Sequence, residues 1–363
     1  MKKIRILSLV CALVLLFSLL SLAACGKKKG GEDATVVTEG TPTAGTTAEG
    51  TTPDVKPAAP VDVKIYTLNG TTGFGMAKLM EDAANGAFTT EKYTVEVKTS
   101  PAEEVLPALI NGSVDIAALP TNAASTVYNR TKGGVKILAV NTLGCLYLVT
   151  TDGTAVASLA DLAGKTVYTP AQNPAFLFKH LLQANGLTET VTVDSTSYAE
   201  PANLRDAVAS GKVAVAVLPE PMVTIAKNAA AKAGKTVAVQ LDLTAEWDKI
   251  PGETGTLVQG CVVVRTAFLE AHPEAVANFL AAYKTSVEYV NEHTEEAADL
   301  IAKHGIFPQA AVAKTAIPNC NIAYLAGADM KAKMQTYLNI LKGIAPASIG
   351  GELPADDFYY IGK

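Results

Sequence analysis

No CxxC pair, no glycine-rich loop followed by a lysine and no run of histidines occurs anywhere in the 363-residue chain. These gaps argue against structural zinc, P-loop nucleotide hydrolysis and His-rich metal capture, so no metal or cofactor is expected. Histidine is confined to four widely spaced positions and tryptophan to one. Charged residues make up only 18 % of the chain. Residues 1–60 hold seven Lys/Arg and five Asp/Glu, which leaves a net charge of −7 on residues 61–363. An acidic body without a basic patch argues against a nucleic-acid partner, because phosphate backbones need many Lys/Arg contacts. Apolar residues, in contrast, reach 49 %, enough to bury a large core over one to three domains.

Lys2, Lys3 and Arg5 precede an uncharged run from Ile6 to Gly26. Such a run is long enough to span a membrane, but a basic start, an apolar middle and a small-residue end read as a signal peptide over residues 1–24. Leu22-Ala23-Ala24-Cys25 resembles a bacterial lipobox. That resemblance implies a diacylglycerol on Cys25 and a mature chain that begins there. Residues 26–60 are dominated by Thr, Gly, Ala and Pro and contain no aromatic, Leu or Ile. They are expected to form a disordered tether with a reach of roughly 30–35 Å. The expected location is therefore the outer face of the bacterial cell membrane.

The body resembles itself at an interval of about one hundred residues. GSVDIAALP at 112–120 matches GKVAVAVLP at 211–219, and KIYT at 64–67 matches TVYT at 166–169. Helix-like segments precede the first pair, at 101–111 and 201–210, and Asn85-Gly86 matches Asn185-Gly186 at helix ends. Further strands are expected at 93–98, 135–140, 190–194 and 236–241. Two copies of strand-helix alternation imply two α/β lobes with parallel sheets covered on both faces. Two such lobes side by side place the C-terminal ends of their strands around a shared crevice, where ligands of open α/β sheets bind.

Residues 145–150 (CLYLVT) leave the first copy, and residues 257–264 (LVQGCVVV) return from the second. Two extended crossings make a hinge. The expected lobes are 61–145 with 257–363, and 146–256. Residues 266–342 read as mostly helical, with Val276, Phe279, Leu280, Tyr283 and Val287 near helical spacing. This tail is expected to pack on the first lobe.

LNGTTGFG at 68–75, GSVDIAALPTNAAS at 112–125, LPEP at 218–221 and VVVRTAFLEAHPEAVANFLAAY at 262–283 together resemble the substrate-binding lipoproteins of ABC importers. The nearest type is the family that includes binders of nitrate, sulfonates and thiamine-pyrimidine precursors, and the resemblance covers about 61–345. It implies a two-lobed type II periplasmic-binding-protein fold, capture of a small molecule outside the membrane, delivery to a permease, and no catalysis. A monomer is expected.

Four loops supply candidate ligand contacts. Gly73, Phe74 and Gly75 follow the first strand, where glycines would let backbone N–H groups approach a ligand at a helix start. Thr121 and Asn122 follow the first LP strand end and offer donors and acceptors, although both also suit a helix N-cap. Gln172, Asn173 and Phe176 lie in the corresponding loop of the second copy, the aromatic either stacking on a ligand or packing in the core. Glu220 follows the second LP strand end, to accept hydrogen bonds from a ligand or to complement a helix dipole. These loops carry no Lys or Arg, which favours a neutral or weakly cationic heterocycle over a sulfonate or nitrate. Arg130, Arg205 and Arg265 lie outside them but within possible reach.

Cys145 and Cys261 sit on the two crossings, each after a glycine, and are expected as buried thiols more than as a pair. Trp247 either lines the cleft or caps the core. His180, His272, His293 and His304 share no site. Two rival functions are an enzyme on the same fold and a receptor that presents its ligand to a sensor. The export signal and the lack of a nucleophile-base pair argue against the enzyme.

Overall fold

Both copies of the repeat fold as alternating strands and helices in the computed structural model, which describes residues 59–151 and 153–362. The expected signal segment 1–24, the expected lipidation site Cys25 and the expected linker 25–60 up to residue 58 lie outside the described residues. The first copy comprises β1 (Val61–Leu68), α1 (Thr71–Phe74), α2 (Ala77–Ala84), β2 (Glu91–Lys98), a π-helical turn at Pro101–Val105 that runs into α3 (Leu106–Asn111), β3 (Ile116–Pro120), α4 (Thr121–Thr131) and β4 (Val135–Leu143). The crossing strand β5 (Leu146–Thr151) follows. The second copy comprises β6 (Thr166–Tyr168), α5 (Asn173–Ala184), β7 (Thr192–Asp194), α6 (Pro201–Ala209), β8 (Val215–Pro219), α7 (Met222–Lys232) and β9 (Val237–Asp242). Gly112 and Gly211 hold matching left-handed turns, with φ of 80° and 73°, between helix and LP strand. Only glycine adopts that conformation without steric cost. A short α8 (Leu243–Trp247) leads to the returning strand β10 (Val258–Arg265).

The sheets are mixed, not purely parallel as the alternation implies. Their strand orders are β2-β1-β3-β10-β4-β11 and β7-β6-β8-β5-β9, where β11 is Ile322–Ala326. β1 runs parallel to β2 and β3, and β6 runs parallel to β7 and β8. Each crossing strand enters the opposite half antiparallel to its neighbours: β10 between β3 and β4, β5 between β8 and β9. The reason is directional. A chain arriving from the other half enters at the C-terminal ends of the parallel strands and must run back along them. Both crossing strands are buried almost throughout, so their apolar runs need a place inside a sheet. The crossings also touch: Cys145 N–H donates to Gln259 Oε1 at 2.9 Å. Gly144 is required there, since a Cβ would stand 2.1 Å from Thr244 Oγ1 and 2.6 Å from Leu257 Cδ2.

After β10 the chain is helical: α9 (Thr266–Ala271), α10 (Pro273–Glu292), α11 (Thr294–Lys303), α12 (Ala310–Ala316) and, beyond β11, α13 (Gly327–Ile344). Phe279, Tyr283 and Val287 of α10 bury against one face of the first sheet, as the spacing predicts. Helices α6 and α7 cover one face of the second sheet through Leu204, Val208 and Ala226. The remaining faces share a single apolar cluster that runs from Leu119 and Val140 through Met334 and Leu338 of α13 to Leu148 and Val217. The tail therefore does more than cover the first half, because α13 reaches both. Among the described residues no helix is long and apolar enough to cross a membrane.

Trp247 belongs to this shared core and not to a cleft. It is fully buried, its Nε1–H donates to Thr256 Oγ1 at 3.0 Å, and its ring lies 4.8 Å from that of His180. His180 in turn pairs with Glu253 at 2.8 Å. Trp247→Ala should lower unfolding free energy by about 3–5 kcal/mol, the range for deleting a large buried aromatic. A urea melt that shows a loss below ~1 kcal/mol would contradict this placement.

Candidate functional site

A cleft of about 580 Å³ opens between loops of both halves. Its walls are residues 99–102, 106, 120, 122 and 123 from the first half, and 171–174 with 199–201 from the second. These loops follow the C-terminal ends of β2, β3, β6 and β7, where the topology places ligands. A depression of about 510 Å³ beside Tyr198 and Lys212 is confined to the second half and lacks this two-sided character.

Four helical segments start at the cleft: the Pro101 turn, α4, α5 and α6. The N–H groups of a helix's first turn have no partner within the helix. No side chain caps α4, α5 or α6. The first-half loop at Thr99-Ser100 differs, because Glu104 accepts from both backbone N–H groups at 2.7 and 2.9 Å. Those donors hold the Glu104 carboxyl below its ordinary range. Asp194 ties the opposite loop in the same way, through Ser197 and the Thr196 N–H, and is likewise held low. Two loops are thus rigid and internally satisfied, and the open donors belong to α4, α5 and α6. Among the described residues no Lys or Arg lines the cleft, and Glu200 is the only charged residue that does.

Of the residues singled out from sequence, Asn122, Gln172 and Asn173 line the cleft. Asn173 Oδ1 accepts from the Tyr337 hydroxyl of α13 at 3.0 Å, a bond between the halves. Gln172 stands at φ 61°, ψ −126°, a strained conformation for a residue with a side chain, of a kind that clusters at binding sites.

The other candidates are placed differently. Thr121 is fully buried and donates to the Val258 carbonyl of β10 at 2.8 Å. Gly73 and Gly75 permit close approach, but of protein and not of ligand. A Cβ on Gly73 would lie 1.9 Å from the Leu68 carbonyl oxygen, and one on Gly75 would lie 2.9 Å from Val287 Cγ2. Phe74 is fully buried, edge-on to Phe307. Phe176 is half-buried and packs on the shared core.

Glu220 is 4 % exposed, and its carboxylate caps α7 instead of facing the cleft. It accepts from Thr224 N–H at 3.1 Å and from Thr224 Oγ1 at 3.0 Å. A buried carboxylate must find donors, and the first turn of its own helix supplies them. Its backbone bonds one crossing and the first half: its N–H donates to the Cys145 carbonyl, and its carbonyl accepts from Thr71 Oγ1 of α1 at 2.9 Å. Burial pushes the Glu220 carboxyl above its ordinary value, opposed by the Thr224 donors. Cys145, Cys261 and Cys320 are buried free thiols, and burial pushes that of Cys145 up to about 12. No cluster of metal-ligating side chains occurs among the described residues.

Sequence reasoning missed Ser100, Pro101, Glu200 and Pro201. Their signal was present in the repeat, since Pro101 and Pro201 open helices one interval apart and each follows the second strand of its copy.

A family model described as the phosphonate periplasmic substrate-binding protein of ABC transporters matches residues 87–311. No curated protein matches the chain. Among solved structures, an ABC transporter protein of Parabacteroides distasonis superposes with TM-score 0.69 at 23 % identity, covering 83 % of this chain and 99 % of its own. The periplasmic aliphatic sulphonate binding protein of Escherichia coli gives 0.65 at 16 % identity, over 83 % and 92 %. The alkanesulfonate-binding protein of Xanthomonas axonopodis pv. citri, solved with MOPS, gives 0.57 at 16 % identity, over 80 % and 99 %. These likenesses show the fold: two α/β lobes of the type II periplasmic-binding-protein kind.

The capping geometry makes Glu220→Gln a test. A glutamine keeps an acceptor for Thr224, so solute affinity should stay within about twofold and stability within about 1 kcal/mol at neutral pH. The raised Glu220 pKa means the native state binds this proton more tightly than the unfolded state. The contribution is therefore complete below the ordinary value of 4.5 and is lost as pH rises through the raised value. Lowering the pH from 7 towards 4.5 should stabilise wild type relative to the variant in paired thermal melts. A tenfold loss of affinity would return Glu220 to the binding site.

Proposed function

We propose that this chain, which belongs to the family of ABC-transporter phosphonate periplasmic substrate-binding proteins, captures a small organic oxyanion between its lobes and delivers it to an importer permease. Membership makes the chain a solute-binding component of an ABC transporter. The nature of the solute is our reading of the cleft. The observation that carries it is the convergence of three helix starts without side-chain caps, α4, α5 and α6, on one cavity. Pro174 of α5 and Pro201 of α6 have no N–H, and the Asn203 N–H of α6 bonds the Glu200 carbonyl, so α4 offers the most donors and α6 the fewest. Each start also brings the positive end of a helix dipole, worth about 0.3–1 kcal/mol towards a negative group and up to ~2 when partly buried.

The preference for a neutral or weakly cationic heterocycle rested on the lack of Lys and Arg. That lack holds in the cleft, but helix starts supply donors without a basic side chain. What it limits is total charge. A dianion would lack a counter-charge beside Glu200, so a sulfonate or singly ionised phosphonate head fits better. Two fold relatives named as sulfonate binders support the same class. On this reading the lobes are 61–145 with 257–363, and 146–256, and they close about the two crossings. The chain acts as a monomer held to the outer membrane face through a lipid on Cys25.

Two measurements test the proposal. Thermal melts of the full chain with methanesulfonate, methylphosphonate and an uncharged pyrimidine should show stabilisation by the oxyanions alone. At a hundredfold excess over Kd the gain is about 2.7 kcal/mol, or roughly 5 °C. Stabilisation by the pyrimidine alone would overturn the oxyanion reading. Separately, Cys25→Ala should abolish incorporation of labelled fatty acid in the producing bacterium. Wild-type labelling of that variant would remove the anchor.

A further inference from the structure

We infer that Asn122 is a specificity-determining acceptor, so that the favoured solute carries a hydrogen-bond donor on or beside its oxyanion head. The inference rests on the oxyanion reading above and adds a requirement to it.

Asn122 is the second residue of α4, lines the cleft, and is only 9 % exposed. Its amide has two ends, and the structure distinguishes them. Nδ2 donates to the Ser348 carbonyl at 3.4 Å, while Oδ1 is buried without any partner. The donor side belongs to a longer seam. The segment after α13 lies along α4, and the bonds to it from Asn122, Ser125, Thr126 and Asn129 all end on carbonyls. Thr126 Oγ1 reaches Ser348 at 3.0 Å, Ser125 Oγ reaches Ile349 at 2.9 Å, and Asn129 Nδ2 reaches Ile349 and Glu352 at 2.9 and 2.7 Å. Residues 122, 125, 126 and 129 share one helix face, and that face meets acceptors only. Gly350 seats the segment tightly, at φ 86°, with space for a Cβ closed by Asn129 Nδ2 at 3.1 Å and Thr126 Cα at 3.2 Å. A flipped Asn122 amide would set its oxygen against the Ser348 oxygen. The network therefore fixes the orientation, as amide assignments require.

The result is an acceptor held among donors. The helix starts offer N–H groups to an anionic oxygen, and Asn122 Oδ1 offers only lone pairs. A fully ionised sulfonate brings acceptors alone and leaves Oδ1 unpaired. A singly ionised phosphonate brings two acceptor oxygens and one P–OH, which can donate to Oδ1. Buried polar groups left unpaired are the usual source of strong discrimination between such analogues.

Calorimetric titration of the full chain with methylphosphonate and methanesulfonate, across the second ionisation of the phosphonate, tests this. Wild type should favour methylphosphonate by about tenfold or more, and the preference should vanish as pH rises and the P–OH is lost. Methanesulfonate affinity should stay flat over the same range. Asn122→Ala should weaken methylphosphonate about tenfold and leave methanesulfonate unchanged or tighter. Asn122→Ser, whose hydroxyl can still accept, should restore part of the preference, and it serves alone if the alanine variant fails to melt cooperatively. Equal affinities with flat pH profiles, or equal losses for both solutes in a cooperatively folded variant, would overturn the role of Asn122 and leave the oxyanion reading standing. Failure of both solutes to bind wild type would overturn the oxyanion reading, and the role of Asn122 with it.

Discussion

Strands β3 and β4 never pair with each other, and neither do β8 and β9; in each half a strand arriving from the other half bonds to both. Without β10 the first sheet would divide between β3 and β4, leaving buried backbone donors and acceptors unpaired. Without β5 the second would lose β9. Each α/β half is thus completed only after the chain has visited its counterpart. The cleft loops inherit their positions from this exchange, because the strands they follow are held in register by it. The shared apolar cluster through α13 and Trp247 adds burial to the same end.

The cleft's chemistry follows from where the fold places helix starts. A basic side chain near an anion is a local device that a sequence displays openly. A backbone N–H group at a helix start is available at any sequence, and whether it is free depends on its neighbours. Glu104 and Asp194 occupy the donors of two loops, and α4, α5 and α6 keep theirs. On the proposed reading, selectivity rests on a few neutral amides and on one acidic residue at the edge, Glu200. Such a site distinguishes solutes by charge and by the placement of donors more than by bulk.

Much of this architecture was legible in the repeat. Matched strands, matched left-handed glycines and the two crossings follow from period and turn chemistry, and the cleft follows from strand direction. Strand polarity at the crossings was not, because apolar runs report burial and say nothing of direction. Among the candidate residues, Asn122, Gln172 and Asn173 line the cleft, and as polar groups at strand ends they were visible in the sequence. Gly73 and Gly75 were expected to let a ligand approach, but the approaching atoms come from Leu68 and from Val287, some two hundred residues away in sequence for the latter. Glu220 misled for a related reason, since its partner is its own helix and the donor Thr224 is only four residues on. Ser348, which orients Asn122, contributes a carbonyl, and a carbonyl has no signature in sequence at all.

Cys145 on one crossing bonds to Gln259 on the other, beside Gly144. On the proposed closure of the lobes, the two connections are neighbouring pins of one short axle. A turn about that axle displaces each atom in proportion to its distance from it. Side chains on the exposed rim, such as Gln172 and Glu200, would then travel further than those at the crossings. Groups near the axle, such as Thr71 and the Glu220 backbone, hardly travel. Leverage of this kind would separate the working parts: contacts close to the pins would hold the lobes together, and the surfaces that admit a solute would be those with the longest reach.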